Sequence, residues 1–404
     1  MTAPAELLLR SMRPSGRVRV MLPASKSISN RLLIMGAVCG GAVEAENLST
    51  SDDTRYLREA LKSGKREIWL GHAGTALRFG LAWAAVTPGE RFLHGSARLS
   101  ERPVAPLVEA LRSLGADISC PEKEGYAPLL VRGKKLRGGT VDLDAAVSSQ
   151  FITALMLMGP VLEGGLELRL SGEIVSEPYL RMTARLMRMA GADVSFRENL
   201  IRIANTGYAE TCIEVEPDYS AASYFYAAAA FNRNLETELP GLPEKSLQGD
   251  AAVAEIYRRF GVETRYTARG ALLMPGEVLD DRLQFDFLAC PDLAQTVAVT
   301  AAGLQKPFHL TGLQTLRIKE TDRISALAAE LTKCGVSCKA SDRELTINGF
   351  SEISATPRIR TYDDHRMAMA FAPLAAVFGE IIIEDPEVVS KSFPDFFREI
   401  KKAV

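Results

Sequence analysis

LVEALRSLGADI (107–118) and TARLMRMAGADV (183–194) are two copies of one pattern, in which an apolar helical repeat ends at a glycine and a strand follows. Related copies, strong or weak, lie at 254–264, 327–338, 57–68 and 394–403. A glycine after the last apolar residue is the usual end of a helix, and recurrence at a fixed period indicates a repeat architecture. The sequence therefore predicts about six helix-then-strand modules, with chance similarity among α/β segments as the alternative.

The glycines that end the four clear copies are regularly spaced, which favours a true repeat over chance. Gly115, Gly191, Gly261 and Gly335 are separated by 76, 70 and 74 residues. Because 404 residues exceed one ordinary hydrophobic core, two lobes of three modules are the simplest arrangement. We expect a lobe boundary near 215–224, where a strand and a turn precede a helix of small residues.

The composition excludes several classes of protein. Apolar residues make up 47% of the chain and charged residues 24%, as in an average globular protein. A net charge of −2 argues against broad binding to nucleic acid or to an anionic membrane. Since the N-terminus has no signal-peptide pattern and no apolar stretch has membrane-spanning length, we expect a cytoplasmic protein.

The cysteines and histidines do not indicate a metal centre. Six cysteines are scattered along the chain, and the four histidines lack ligand spacing. Only Cys334 and Cys338 lie close together, and their spacing fits a helix face or its end better than a metal knuckle. We expect reduced cysteines and no metal.

Basic side chains stand at the predicted N-termini of four apolar helices. They are Lys26 and Arg31 in 22–41, Arg78 in 71–86, Lys319 and Arg323 in 316–331, and Arg366 in 362–379. A cation at a helix N-terminus is unfavourable by about 0.3–1 kcal/mol, but a bound phosphate reverses the effect by accepting N–H groups and pairing with the cation. Four such segments predict binding of phosphorylated acids, although any one basic residue alone is more often solvated or ion-paired.

Local patterns near these segments lead to further predictions. The first helix is expected to bury one apolar face, which consists of Ile28, Leu32, Leu33, Met35 and Val38. Lys319 and Arg323, four residues apart, are expected to repel each other on a helix unless an anion lies between them. Thr321 and Asp322 are candidate caps of one helix, and Asp363 and Asp364 are candidate caps of another.

Hydroxyl and amide side chains precede other apolar helices. Ser148, Ser149 and Gln150 lie before one of them, and Ser176 and Tyr179 lie at the start of another. These side chains suit a polyhydroxylated ring, and helix capping is an equally good explanation.

A Pro also marks a predicted helix start. Pro103 follows Arg102 and is expected at the first position of a helix.

Nine segments occur in an order that is typical of one enzyme family. They are P-A-S-K-S-I-S-N-R (23–31), A-G-T-A-L-R (73–78), E-R-P (101–103), S-S-Q (148–150), S-E-P-Y (176–179), P-D (291–292), K-E-T-D-R (319–323), D-D-H-R-M-A-M (363–369) and S-K-S-F-P-D (390–395). With these segments the chain resembles the 5-enolpyruvylshikimate-3-phosphate synthase family over nearly its whole length. Each segment alone is weak, and nine in order are highly specific.

The resemblance implies a fold and a domain organisation. The fold is the α/β, two-lobed enolpyruvyl transferase fold, in which each lobe has three βαβαββ repeats and helix N-termini face the interlobe cleft. The first lobe, 23–216, is inserted in the second, which consists of 1–22 plus 217–404.

The resemblance also implies a reaction. The enolpyruvyl group of phosphoenolpyruvate passes to the 5-hydroxyl of shikimate 3-phosphate by addition and elimination, with release of phosphate. The reaction belongs to the shikimate pathway to chorismate and aromatic amino acids. It needs no metal or organic cofactor, and we expect a monomer.

The site residues are carried over from the matching motifs. For shikimate 3-phosphate they are Lys26, Ser27, Arg31, Ser148, Ser149, Gln150, Ser176, Tyr179, Asp292 and Lys319. For phosphoenolpyruvate they are Lys26, Gly74, Arg102, Gln150, Arg323, Arg366 and Lys391. The resemblance implies Asp292 as principal base and Glu320 as acid at carbon, with Lys26 assisting, and it leaves open which of them acts in which step.

Five positions depart from the family pattern. Thr315 and His72 stand where Asn is common, Ala24 where Gly is common, Glu177 where Lys is common and Phe79 where Pro is common. None of these changes removes a charged catalytic residue. The change at Phe79 leaves sensitivity to inhibitors such as glyphosate open.

Two other functions compete with this one. A sister enolpyruvyl transferase acts on UDP-N-acetylglucosamine, and it usually carries a reactive Cys where this chain has Ala97. The second competing function is that of a sensor, which binds phosphorylated metabolites without catalysis. Asp292 and Glu320 argue against a sensor, because carboxylates beside the ligand do not help a receptor to bind anions.

Overall fold

The structure is a computed structural model that describes residues 5–146, 148–279 and 282–404, without the side chain of Asn348. The chain divides into two compact units. The continuous unit is Ala24–Val215, and the discontinuous unit combines Met1–Pro23 with Glu216–Val404.

Short strands make up both units. In chain order they are β1 (Glu6–Arg10), β2 (Gly16–Arg19), β3 (Val43–Glu46), β4 (Glu67–Trp69), β5 (Gly89–His94), β6 (Asp117–Ser119), β7 (Leu129–Gly133), β8 (Thr140–Asp144), β9 (Leu166–Ser171), β10 (Val194–Arg197), β11 (Leu200–Ile203), β12 (Thr211–Glu214), β13 (Leu235–Pro240), β14 (Val262–Thr267), β15 (Gly270–Pro275), β16 (Leu283–Asp286), β17 (Phe308–Thr311), β18 (Val336–Ala340), β19 (Leu345–Phe350), β20 (Arg358–Ile359) and β21 (Glu380–Glu384).

Helices alternate with these strands. In chain order they are α1 (Lys26–Val38), α2 (Asp52–Lys62), α3 (Gly74–Val86), α4 (Ala97–Ser100), α5 (Ala105–Ser113), α6 (Ser149–Met158), α7 (Glu177–Met189), α8 (Tyr219–Phe231), α9 (Val253–Arg258), α10 (Ala294–Gly303), α11 (Arg323–Lys333), α12 (His365–Phe371), α13 (Ala375–Phe378) and α14 (Phe396–Ile400). Short 3₁₀ helices cover Gly159–Val161, Gly249–Ala252, Pro291–Leu293, Gln314–Ile318, Ala372–Leu374 and Pro386–Lys391.

Four sheets share one strand order. The orders are β4-β5-β7-β6, β8-β9-β11-β10, β16-β17-β19-β18 and β2-β13-β15-β14. In each sheet the first two strands are parallel, and the other neighbours are antiparallel. With the helices between their strands, these sheets form four complete βαβαββ modules, two in each unit. In the last of them the continuous unit lies between β2 and α8 along the chain.

A smaller sheet completes each unit. In the continuous unit β12 pairs in parallel with β3, and in the discontinuous unit β21 lies between parallel β20 and antiparallel β1. Within the described residues each unit therefore contains three sheets. The α/β fold with three repeats in each lobe, predicted from the sequence, is confirmed, with the third repeat reduced.

The glycines that defined the repeat have the conformation that the pattern predicted. Gly115, Gly191, Gly261 and Gly335 have φ angles of 88°, 81°, 77° and 75°. They follow α5, α7, α9 and α11 and precede β6, β10, β14 and β18. Because this left-handed conformation strains residues with a Cβ, glycine is favoured at the turn from helix to strand.

Three helices form the centre of each unit. In the continuous unit α1, α3 and α6 pack against one another, and in the discontinuous unit α8, α10 and α12 do so. Helices α3, α6, α8 and α10 are apolar on nearly all sides, as expected for helices that are surrounded by protein. In the described part of the chain, none has the length and apolar character that a membrane span requires.

The predicted inward face of α1 is partly wrong. Ile28, Leu32 and Met35 are buried as expected, but Ile34 is buried as well, whereas Leu33 and Val38 are only half-buried. Helix α1 contacts α2, α3, α6 and β3. Because α1 has neighbours on several sides, its buried residues are not limited to the single face that the apolar periodicity predicts.

Candidate active site

Lys26, the first residue of α1, pairs with an acidic residue that the sequence analysis missed. Its Nζ lies 3.1 Å from Oδ2 of Asp53, in the first turn of α2. Asp53 is buried, and its Oδ1 has no hydrogen-bond partner in the described part of the chain. In the sequence, Asp52 and Asp53 look like ordinary acidic residues of a first helical turn, so no signal distinguished Asp53.

Arg31 is a buried cation on the same helix. Its Nε donates to Thr183 Oγ1 over 2.8 Å, and Nη1 donates to Ser27 O over 2.7 Å. Among the described residues no carboxylate forms an ion pair with Arg31, and burial lowers its pKa to about 10. A buried cation held only by neutral oxygens is costly, so an anion at this position would stabilise it.

Gly74 opens α3 beside two arginines. A Cβ added at Gly74 would overlap Arg102 Nη1 and lie 2.7 Å from Arg78 Nη1. Arg78 donates from Nη1 to Gly74 O over 3.0 Å, and both arginines are buried. The absence of a side chain at Gly74 therefore makes room for two guanidinium groups at one helix N-terminus.

The prediction that Pro103 is the first residue of a helix is wrong. Helix α5 begins at Ala105, and the proline in its first two positions is Pro106. Val104 has φ −133°, outside the helical range, and it donates its N–H to Gly125 O over 2.8 Å. A proline fixes only its own φ, so Pro103 does not force the next residue, Val104, into the helical conformation.

The polar side chains at the start of α6 cap the helix and also join it to α3. Ser148 Oγ accepts a hydrogen bond from Gln150 N over 3.3 Å, and Ser149 is the first helical residue. Gln150 Nε2 donates to Thr75 Oγ1 over 3.2 Å. Capping therefore accounts for Ser148, and the amide of Gln150 places the N-termini of α6 and α3 side by side.

Capping does not account for Ser176. It precedes α7 with a left-handed φ of 57°, and its hydroxyl makes no capping hydrogen bond. Its carbonyl oxygen accepts from Tyr179 N over 3.0 Å, and the carbonyl of Tyr179 lies 3.5 Å from Arg31 Nη2.

Arg323, the first residue of α11, lies at the centre of the discontinuous unit's cluster. Nε is 2.6 Å from Asp364 Oδ2, Nη2 is 2.8 Å from Glu320 Oε2, and Nη1 is 3.1 Å from Asp292 Oδ1. Burial would lower the pKa of Arg323, but the three carboxylates outweigh burial and raise it. One guanidinium group thus fixes three carboxylates.

Asp292 lies in the 3₁₀ helix before α10 and faces three cations. Oδ2 is 3.1 Å from Arg366 Nη2, and Oδ1 is 3.1 Å from Arg323 Nη1 and 3.7 Å from Lys319 Nζ. Burial would raise its pKa, but Arg366, Lys319 and Arg323 together lower it. With its side chain 21% exposed, Asp292 is an ionised carboxylate that solvent-borne molecules can reach.

The placement of Lys319 and Arg323 on one helix is wrong, whereas an anion does lie between the two cations, as the sequence analysis required for their repulsion to be relieved. Lys319 precedes α11 with a φ of −81° and a ψ of −148°, outside the helix. The carboxylate of Asp292 lies between the two cations, so the anion that the spacing called for comes from the protein itself. Asp322 caps α11 as predicted, accepting from Ser325 N over 3.2 Å.

Glu320 joins Arg323 to Lys391. Its Oε1 is 2.9 Å from Lys391 Nζ, and both side chains are largely buried. Lys391 ends the 3₁₀ helix Pro386–Lys391. The carboxylate is therefore held between two cations from different parts of the chain.

Arg366 connects the N-termini of three central helices. Asp364 caps α12 by accepting from Arg366 N over 2.9 Å, which confirms the predicted cap. Arg366 Nη1 donates to Asp292 O over 3.1 Å and lies 3.5 Å from Tyr224 Oη, while Nη2 lies 3.4 Å from Ser220 Oγ. Ser220 and Tyr224 were not predicted, because the start of α8 was recognised only as a helix of small residues.

The predicted site residues thus fall into two groups, one in each unit, which are called clusters below. The continuous-unit cluster is Lys26, Ser27, Arg31, Gly74, Arg102, Ser148, Ser149, Gln150, Ser176 and Tyr179, and the discontinuous-unit cluster is Asp292, Lys319, Glu320, Arg323, Arg366 and Lys391. With Asp364, the second cluster contains four cations and three carboxylates. Among the residues that the structure describes, no group of three or more His, Cys, Asp and Glu side chains has an arrangement that could hold a metal ion.

Comparisons with known proteins identify the family of this chain. The family model of EPSP synthase (3-phosphoshikimate 1-carboxyvinyltransferase) matches residues 63–400. The chain belongs to the EPSP synthase family. A 3-phosphoshikimate 1-carboxyvinyltransferase from Bacteroides fragilis (strain YCH46) is 46% identical over 390 residues, which cover 96% of this chain and 95% of that relative. Another 3-phosphoshikimate 1-carboxyvinyltransferase, from Vibrio atlanticus (strain LGP32), is 36% identical over 411 residues, which cover 95% of this chain and 96% of that relative.

A solved structure supports the fold assignment within the EPSP synthase family. The EPSP synthase from Acinetobacter baumannii superposes with a TM-score of 0.77 and covers 98% of each chain, at 22% identity. The predicted family and enolpyruvyl transferase fold are confirmed.

Proposed function

We propose that this chain is a 3-phosphoshikimate 1-carboxyvinyltransferase of the shikimate pathway. It transfers the enolpyruvyl group of phosphoenolpyruvate to the 5-hydroxyl of shikimate 3-phosphate and releases phosphate. The observation that carries the proposal is the pair of carboxylates, Asp292 and Glu320, held by one buried arginine among cations. A receptor for anions would gain nothing from these carboxylates, whereas proton transfer requires them.

The charges support two phosphorylated acids as substrates. Two phosphates and two carboxylates bring roughly six negative charges. We propose that shikimate 3-phosphate binds Lys26, Ser27, Arg31, Ser148, Ser149, Gln150, Ser176, Tyr179, Asp292 and Lys319. We propose that phosphoenolpyruvate binds Lys26, Gly74, Arg102, Gln150, Arg323, Arg366 and Lys391. The buried guanidinium of Arg31, which no carboxylate of the described residues contacts, supports a phosphate ligand in the continuous unit.

In the addition step, Asp292 takes the proton of the 5-hydroxyl as its oxygen forms a bond to C2 of phosphoenolpyruvate. Glu320 enters the step protonated and gives its proton to C3 as the C2–C3 π electrons attack it, with Lys26 assisting, so that C3 becomes a methyl group. In the elimination step, C3 returns this proton to Glu320, the double bond re-forms, and the bond between C2 and the phosphate oxygen breaks with its electron pair leaving on phosphate. The proton that Asp292 took from the 5-hydroxyl leaves with phosphate, which restores both residues.

The pKa of Asp292 supports its role as a base that substrate binding activates. Without substrate the surrounding cations lower this pKa and make the carboxylate a weak base. A phosphorylated acid that pairs with Lys319 and Arg366 would compete for those cations and raise the pKa of Asp292. The base would therefore gain strength only when the site is filled.

Phosphate release from two candidate acceptors tests the proposal. Purified protein mixed with phosphoenolpyruvate and shikimate 3-phosphate is expected to release phosphate, whereas mixing with UDP-N-acetylglucosamine is not. Release with the UDP-sugar alone would assign the chain to the sister enzyme, and binding without turnover of either would indicate a sensor. The cytoplasmic location and the monomeric state stay predictions from the sequence.

A further inference from the structure

The turn that leads into α12 has an unusual backbone. Asp364 N donates to Thr361 O over 2.9 Å, and the two residues between them, Tyr362 and Asp363, both have φ 55°. Positive φ at both central positions is the pattern of a type I′ turn, which favours Gly, Asn and Asp. Tyr362 is therefore a costly residue at this position, and such strain persists only where surrounding contacts over-determine the conformation.

The side chain of Tyr362 makes the contact that holds this turn. Its Oη donates to Glu330 Oε1 over 2.7 Å, and Glu330 Oε2 accepts from Arg360 N over 3.0 Å. Lys333 Nζ lies 2.7 Å from the same Oε2 and donates to Arg358 O over 3.1 Å. Burial and the hydrogen bond to Glu330 raise the pKa of Tyr362 to about 12, so the hydroxyl remains a donor at neutral pH.

Glu330 is buried, with 0% of its side chain exposed, and it lies on the helix that begins at Arg323. The two residues are seven positions apart, which places them on one face of α11 and about 10 Å apart along its axis. Helix α11 therefore holds the turn segment at two points. Glu330 binds Tyr362 at one point, and Arg323 binds Asp364 at the other.

We propose that Glu330 and Tyr362 are positioning residues for the binding of phosphoenolpyruvate. They fix the left-handed turn, the turn places Asp364, and Asp364 in turn orients the guanidinium of Arg323 and the backbone N–H of Arg366. Neither Glu330 nor Tyr362 makes a direct contact with the residues that are proposed to bind phosphoenolpyruvate. The inference rests on the proposed function, because it assumes that Arg323 and Arg366 bind this substrate.

Tyr362→Phe tests the inference because it removes one hydroxyl and keeps the ring. We expect KM for phosphoenolpyruvate to rise about tenfold, and KM for shikimate 3-phosphate to stay within about twofold. A tenfold change corresponds to about 1.4 kcal/mol, which is in the range of a hydrogen bond to a charged group. A merely structural role would instead lower the active fraction and leave both KM values unchanged.

Two further variants sharpen the test. Tyr226→Phe is the matched control, because Tyr226 Oη also makes a part-buried hydrogen bond to another side chain, over 2.9 Å to Thr264 Oγ1, and neither residue belongs to the cluster. It is expected to leave both KM values unchanged. Glu330→Gln replaces one of the two accepting oxygens by a donor, so it loses either the contact with Tyr362 or those with Arg360 N and Lys333, and it is expected to raise KM for phosphoenolpyruvate as Tyr362→Phe does.

A crystal structure of Tyr362→Phe separates this inference from the proposed function. Movement of Asp364 Oδ2 beyond hydrogen-bond distance of Arg323 Nε supports positioning, whether or not the wild-type protein releases phosphate. Retention of the 2.6 Å contact overturns it. An unchanged KM for phosphoenolpyruvate in Tyr362→Phe, or an equal rise in Tyr226→Phe, would also overturn it.

Discussion

Arg323 Nε lies 2.6 Å from Asp364 Oδ2, and only 2% and 0% of the two side chains are exposed. Asp292 and Glu320 contact the other nitrogens of the same guanidinium. Burial removes much of the hydration of these carboxylates, and Arg323 is the one cation that compensates all three among the described residues. The arginine therefore contributes to the stability of the discontinuous unit as well as to the proposed binding of substrate.

Replacement of this arginine by an uncharged side chain should be strongly destabilising. Arg323→Met leaves three carboxylates beside one another without their shared cation, and we expect the free energy of unfolding in urea to fall by about 3–5 kcal/mol. Arg17→Ala is the control, because Arg17 pairs with Glu236 on the surface and should contribute less than about 1 kcal/mol. Equal, small losses in both variants would contradict a structural role of Arg323.

Asp292 should matter far more for turnover than for binding, because Asn can keep its hydrogen bonds to the substrate. Asp292→Asn keeps the shape of the side chain and removes the base, so we expect kcat to fall at least about 10²-fold, the low end for general acid–base groups. The Kd of shikimate 3-phosphate, measured by calorimetry, should change only a few-fold. Asp342→Asn, at an exposed carboxylate, should retain full activity. Near-normal turnover in Asp292→Asn would remove Asp292 as the base.

The repeat could be predicted from the sequence because its signals are local. The four helices of the clear repeats end at glycines with positive φ, such as 88° at Gly115 and 75° at Gly335. Glycine's tolerance of positive φ is a property of the residue itself, so it can be recognised in the sequence without knowledge of the packing. Most charged site residues could also be predicted, since they lie in short motifs at helix N-termini. Pro103 shows the limit of local signals, because its preferred φ did not determine where α5 begins.

The partners of the site residues could not be predicted, because they are distant in sequence. Arg31 donates to Thr183, 152 residues away, and Arg366 contacts Tyr224, 142 residues away. Asp53, 27 residues from Lys26, looked like an ordinary first-turn acid. Only tertiary packing brings these groups together, and a single sequence carries no local signal for such pairs.

Lys319 should make the binding of shikimate 3-phosphate sensitive to alkaline pH. Burial lowers its pKa below the ordinary value of 10.5, and the attraction of Asp292 offsets this only in part. As pH rises, Lys319 therefore loses its positive charge before exposed lysines do, and Kd should rise.

Calorimetric titrations between about pH 7 and 10 test this dependence. In Lys319→Arg the guanidinium stays charged over this range, so the Kd should change less with pH than in the wild type. A parallel rise of Kd in both proteins would assign the pH dependence to another group.

Gly74 and Gly80 provide a matched pair of substitutions within α3. A methyl group at Gly74 would displace the guanidinium of Arg102, whereas a methyl group at Gly80 meets no atom within 4 Å. We expect Gly74→Ala to raise KM for phosphoenolpyruvate by about tenfold, as for the loss of one charged hydrogen bond. Gly80→Ala should leave KM unchanged and stabilise the helix by up to about 1 kcal/mol. Steady-state kinetics and thermal unfolding of both variants measure these effects, and the same KM in both would show that Arg102 does not depend on the space at Gly74.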